Sequence, residues 1–274
     1  MIRSWKGILA GCLLAAPLAA QSPDSAEHKT FFVKHDIGLA VGAAALSAGI
    51  SIFDPRIARF FQDTSYLHVR EGRKLDAAFT HINETTLTVG GLVLYGIGKL
   101  FHSELLSDVA FHTAESVAAA SLTAQVIRGP LGRTRPLDVN PPYEDQYDFH
   151  FGKGFTSFQN RAFPSIHSSS GFAAASAIVA EMHRRDPKAM WWVAVPAYAL
   201  ALTPGLSRMY LGQHWASDIF SGAVLGTFYG WRIVDYSHAH PTTPVDHFFL
   251  GKVKKVQVGM GPDGEMLVGW STEF

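Results

Sequence analysis

Three short stretches hold the side chains best suited to chemistry. In the first, Arg128, Arg133 and Arg135 fall within eight residues and Pro136 follows. Guanidinium forks stay charged at any working pH and grip phosphate oxygens in pairs, although a solvated basic helix end would look the same. In the second, Pro164, Ser165, Ile166 and His167 open a run of small residues. A helix starting there would offer free backbone N–H groups and a positive dipole end to an anion. Ser165 could cap that helix and donate to a phosphate oxygen, and His167 could protonate a leaving group. In the third, Ser207-Arg208 precedes His214 by six residues, and Asp218 follows four later. On one helix His214 and Asp218 would share a face, so the carboxylate could fix the imidazole tautomer and leave the other nitrogen as a nucleophile.

The elements that must position these groups are read from the apolar runs. Stretches at 37–53, 85–98, 108–127, 168–182, 189–206 and 219–231 have helical length and character, and polar connections separate them. They predict an all-α bundle of about six core helices. The segment 137–163, with Pro141-Pro142 and Gly152-Lys153-Gly154, predicts a long functional loop, from which Lys153 and Arg161 could approach a phosphate. Near the end, 252–260 and 265–270 flank Gly261-Pro262-Asp263-Gly264, the turn chemistry of a short β-hairpin. Asp235, His238 and His240 have metal-ligand types but fall where a polar tail is expected, so no metal is expected. Trp191 and Trp192 fit packing or an interface better than a cofactor box.

The chain of 274 residues carries 23 basic and 23 acidic residues, and this neutrality argues against a nucleic-acid partner. Charged residues make up 17%, below the roughly 25% of an average soluble domain. The single cysteine, Cys12, excludes an internal disulfide and a zinc site built on several thiolates. Residues 1–20 read as a signal peptide, with Arg3 and Lys6 before an apolar stretch and Leu18-Ala19-Ala20 at the cleavage site. The organisation expected is therefore a signal at 1–20, a polar segment at 21–36, a helical catalytic domain at 37–236 and a tail with the hairpin at 237–274. A periplasmic bundle, soluble or membrane-associated, is the expected setting. Only 37–53 and 189–206 approach the length that spanning needs. The basic loop 183–188 conflicts with the parity of six spanning helices.

Taken together and in order, Arg-x6-Arg-Pro, Pro-Ser-x-His and Ser-Arg-x5-His-x3-Asp resemble the signature of the type 2 phosphatidic acid phosphatase (PAP2) and vanadium haloperoxidase superfamily. The third motif is complete. The resemblance implies that His214 is the nucleophile, that Asp218 orients it and that His167 is the acid and then the base. It also implies that Arg128, Arg135, Arg208, Ser165 and the Ile166 N–H hold the phosphate. No metal or other cofactor is implied, and vanadate would act as an inhibitor. Two departures stand out. Arg128 replaces the family's lysine, and Ile166 replaces a glycine, bringing a β-branched side chain that disfavours positive φ. The function expected is an exported, metal-independent phosphatase acting on a phosphomonoester or diphosphate, of a small molecule or a lipid, through a phosphohistidine. The alternatives are a haloperoxidase with vanadate as cofactor and a non-catalytic envelope module with a degenerate pocket. The sequence leaves the oligomeric state open.

Overall fold

A computed structural model describes residues 30–62, 79, 81–241, 243–250, 255–260 and 266–271. The signal peptide read at 1–20 and the only cysteine lie outside the described residues. The chain divides into a helical unit ending at Ala239 and a C-terminal unit, His240–Phe274.

The helical unit contains α1 (Lys34–Ser51), α2 (Asp54–Gln62), α3 (Glu84–Leu100), α4 (Glu104–Leu131), α5 (Ile166–Arg185), α6 (Met190–Tyr210) and α7 (Ala216–Ala239). Six of these coincide with the apolar runs, and α2 is an addition the sequence reading missed. Its composition is polar and short, and its one fully buried charge, Asp54, carries no local signal. Helix starts follow side-chain chemistry: the side chains of Asn83, Ser103 and Ser165 accept from the N–H groups of Thr86, Leu106 and Ser168. Helix α4 ends at Gly132 with φ 63°, where a Cβ would stand 1.9 Å from the His150 carbonyl oxygen.

Helix α5 is the centre of the bundle, and nearly all of its first fifteen residues are buried. Its small side chains let the neighbours approach to backbone contact. On α7, Gly222, Gly226 and Gly230 recur every four residues along one face. A Cβ at these positions would lie 2.3, 2.2 and 2.4 Å from the Ser165 oxygen, the Ser169 oxygen and the Ser176 Cβ. On its other side α5 packs Ala173 and Ala174 against Val117 and Ala120 of α4. The helix ends that carry the three motifs are thereby drawn to one end of the bundle. Helix α1 is joined to α7 by Ser47–Ser221 (2.7 Å) and by an Asp36–Arg232 ion pair.

Many large apolar side chains face outward. Ile37 and Val41 on α1, Val93 and Leu100 on α3, and Trp191, Trp192 and Val195 on α6 are all exposed, Trp192 to 85%. Among the described residues no single helix is long and apolar enough to cross a membrane, although α1 and α2 together, bent by 56° at their break, have the length and composition.

In the C-terminal unit, α8 (Pro244–Phe249) is capped by Thr243, whose hydroxyl accepts from the Asp246 N–H. Strands β1 (Lys255–Met260) and β2 (Met266–Ser271) pair antiparallel, from Lys255 opposite Ser271 to Met260 opposite Met266.

Candidate active site

The first motif leaves α4 in its last turn. Arg128 and Arg135 are buried, at 8% and 3% exposure, and the Nε of each has no hydrogen-bond partner among the described residues. A buried cation with an unused donor is costly unless an anion completes it. Burial and then the neighbouring guanidinium push both pKa values down to about 10, with Arg161 acting on Arg128, and Arg128 and Arg208 on Arg135. Arg135 stacks its guanidinium 3.7 Å from the Phe158 ring centroid. Gln213 Oε1 accepts from Arg135 Nη1 (3.1 Å) and from Arg208 Nη1 (2.8 Å), which holds two of the forks side by side.

Arg133, between these two, has a different job. Its Nη1 lies 2.5 Å from Asp218 Oδ1 and donates to Ser217 Oγ (2.8 Å), while Nη2 lies 2.8 Å from Asp54 Oδ2. Ser217 N–H and hydroxyl also donate to Asp54 (3.0 and 2.5 Å). Arg133 is thus locked between two buried carboxylates from α2 and α7 and takes no part in the cationic cluster. The reading of residues 128–135 as one basic stretch does not separate these roles.

Ser165 caps α5 as expected, accepting from the Ser168 N–H and hydroxyl (3.4 and 3.2 Å) while its own proton remains available. Ile166 is buried at 2% in the first turn of α5 and is not among the residues with positive φ. The backbone objection to isoleucine here therefore falls away. Ile166→Gly should not raise turnover, and it should cost about 2–5 kcal/mol of stability, as for other buried large-to-small changes. Denaturant melts beside initial rates check both; a large gain in turnover would contradict the packing role.

His167 Nε2 lies 2.6 Å from Arg208 Nη2. A guanidinium only donates, so Nε2 is the acceptor and the neutral ring carries its proton on Nδ1. Burial, then Arg208 and the other cations of the site, push the His167 pKa down to about 3.

His214, 3% exposed, departs from expectation in its partner. Its Nδ1 is 2.7 Å from the Ala162 carbonyl oxygen and 3.7 Å from Asp218 Oδ2, beyond hydrogen-bond reach. The carbonyl can only accept, so Nδ1 carries the proton and Nε2 keeps its lone pair. The expected shared helical face does not form because α7 starts at Ala216, after His214. The Asp218 oxygen that faces His214 instead accepts from the Trp215 N–H (2.7 Å) and stays at ion-pair distance from the imidazole. Burial lowers the His214 pKa, and the neighbouring Asp218 carboxylate only partly offsets it.

The long loop places Ala162 through side-chain contacts of its own. Arg161 donates to the Gly154 and Phe155 carbonyls, both at 2.7 Å, so it staples the loop. Lys153 is exposed. Asp235, His238 and His240 do not form the metal group their types suggested: His238 turns inward to Glu181 of α5, and Asp235 faces Arg184 at 3.7 Å.

Residues 110–241, which include all three motifs, match the family model of the PAP2 superfamily. That segment is a PAP2-superfamily domain. The chain's all-helical core also resembles the crystal structure of a transmembrane PAP2-type phosphatidylglycerolphosphate phosphatase from Bacillus subtilis. That likeness has a TM-score of 0.56 at 20% identity and covers 74% of this chain and 95% of that one. Among curated proteins, a lipid A 4'-phosphatase of Bacteroides thetaiotaomicron is 27% identical over 147 residues, which is 53% of this chain and 61% of that protein. A lipid A 1-phosphatase of Porphyromonas gingivalis is 36% identical over 69 residues, 25% of this chain and 15% of that protein. The matches thus span about three fifths of the first relative and a small part of the second.

The depressed His167 pKa has a consequence for stability in this PAP2 domain. The unfolded chain takes up the proton near 6.5 and the folded chain near 3, so between these values the unfolded state binds more protons. Unfolding free energy should therefore fall as pH drops through that window. His214, also depressed, contributes in the same direction. Urea titrations between pH 4 and 7 check the sign, and His167→Gln should flatten the slope.

Proposed function

We propose that the protein is a metal-independent phosphatase of the bacterial envelope that hydrolyses a phosphomonoester or diphosphate on a lipid. The carrying observation is His214 itself: its Nδ1 proton is committed to the Ala162 carbonyl, which leaves Nε2 as a lone-pair nucleophile in the field of Arg128 and Arg135. Nε2 attacks phosphorus and the P–O bond to the leaving group breaks, giving a phosphohistidine. His167 protonates the departing alkoxide and then takes a proton from water as that water attacks phosphorus and frees His214. The three guanidinium groups, the Ser165 hydroxyl and the Ile166 N–H hold the phosphoryl oxygens, where charge spreads in the transition state.

His167 is neutral while Arg208 sits on its Nε2. A phosphate dianion drawing Arg208 to itself would free that nitrogen and raise its proton affinity, so the acid is armed when substrate arrives. A lipid substrate is supported by the names of the lipid A phosphatase relatives and by the apolar side chains that α1, α3 and α6 turn outward, which would rest against acyl chains. Envelope location rests on the signal read at residues 1–20.

The test is phosphate release by the full chain in detergent, with chelator present, from an aryl phosphate, phosphatidic acid, an isoprenyl diphosphate and lipid A. Chelator-resistant release, favouring a lipid and inhibited by vanadate, is the expected result. Halide oxidation stimulated by vanadate would replace this reading with the haloperoxidase. No release from a folded chain would replace it with the non-catalytic module.

A further inference from the structure

At the end of the bundle away from the phosphate site, α4, α5 and α7 meet a second time. His112 of α4 and Glu181 of α5 are each 1% exposed, and His238 of α7 is 29% exposed. His112 Nδ1 lies 2.6 Å and His238 Nε2 2.8 Å from the same oxygen, Glu181 Oε1. The two rings stand edge to face with centroids 5.4 Å apart, and the three ligating atoms all fall within 4.8 Å of one another. None of these residues belongs to the three motifs. Counted along α4, His112 is sixteen residues from Arg128, roughly 24 Å at the helical rise.

We propose that His112, Glu181 and His238 form a binding site for a divalent transition-metal ion of the zinc type. Two imidazoles and one carboxylate are the donors that zinc and its neighbours accept, whereas magnesium and calcium prefer oxygen alone. A metal about 2.1 Å from each donor needs donors about 3.4 Å apart, so the N···O separations of 2.6 and 2.8 Å must open by about 0.8 and 0.6 Å. Rotation of the Glu181 carboxylate supplies that. The carboxylate also has capacity left: Oε2 has no hydrogen-bond partner among the described residues, and Arg185 Nε is 3.8 Å from it. Arg185 is itself held by Asp108 (2.8 Å), so the surroundings are not net positive. The partial exposure of His238 gives an entry path and room for a water as fourth ligand. On binding, the ion takes the place of the two N–H protons that now point at Glu181, each of which moves to the other nitrogen of its ring or leaves to solvent, and it joins the far ends of the helices whose near ends carry Arg128, His167 and Asp218.

The inference does not depend on the phosphatase reading, because binding is read without turnover. The full chain, free of any polyhistidine tag, is titrated with Zn²⁺ by calorimetry and with Co²⁺ by its visible absorption, beside His238→Ala, Glu181→Gln and His214→Ala. One ion per chain is expected, with a tetrahedral or five-coordinate cobalt spectrum and a higher Tm. Affinity should fall at least about tenfold in His238→Ala and Glu181→Gln and stay unchanged in His214→Ala. Since His238 is at the edge of the cluster, its variant should melt near the metal-free parent. Absence of stoichiometric binding, binding that survives His238→Ala, or binding lost in His214→Ala would overturn the proposal.

Discussion

His214→Ala should lower kcat by about 10⁴- to 10⁶-fold, the range seen when an enzyme loses its nucleophile and keeps its binding groups. The reason lies in which nitrogen is committed. With Nδ1 donating to Ala162, His214 Nε2 keeps a lone pair of fixed direction in the field of Arg128 and Arg135. His167 Nε2 is taken by Arg208, and its role is proton transfer, for which removal should cost a smaller factor of about 10²–10⁴. The measurement is initial-rate phosphate release by His214→Ala, His167→Ala and parent, followed by an alkaline quench for labelled protein. His167→Ala should accumulate a base-stable, acid-labile phosphoprotein and His214→Ala should accumulate none. Equal losses in both, with no trapped species in either, would count against His214 as the attacking atom.

Arg133→Ala should be the most destabilising single change near the site, by about 3–5 kcal/mol, because it strands two buried carboxylates. Asp54 and Asp218 are both fully buried, and Arg133 is the cation that contacts each of them. Arg128→Ala is the informative contrast. Arg128 is similarly buried but has an unpartnered Nε and cationic neighbours, so its loss should relieve repulsion and leave stability unchanged or improved while weakening phosphate binding. Thermal or denaturant melts in detergent, paired with KM for the preferred substrate, separate the two arginines. A stable Arg133→Ala protein with impaired substrate binding would show that their roles had been exchanged.

That contrast also shows where the sequence stopped being readable. Long apolar runs revealed six helices because a buried bundle needs little else, and three motifs in fixed order revealed the site because their side chains are its reacting parts. Helix α2 escaped because it is short, and Asp54 because a single aspartate shows nothing of a partner 79 positions away. Arg133 was visible only as one more positive charge. The pairing of His214 with Asp218 was inferred from helical spacing, yet His214 stands outside the helix, and chain direction at a helix entry is set by packing more than by spacing. His238 was read as part of a polar tail because nothing local reports that Glu181 waits across the interface.

The Ala162 carbonyl differs from the side chains of the site because it is main chain. No point substitution removes it, and a change at residue 162 acts only through the bulk it adds in a position that has no exposed surface. The part of the machinery that sets the direction of the nucleophile is therefore shielded from simple loss by side-chain replacement, but it is exposed to changes in the length of the segment between Pro136 and Ala162. Insertions and deletions there, not missense changes, are the genetic route by which the orientation of His214 would be lost, and loop length is the variable along which relatives with altered reactivity should be sought.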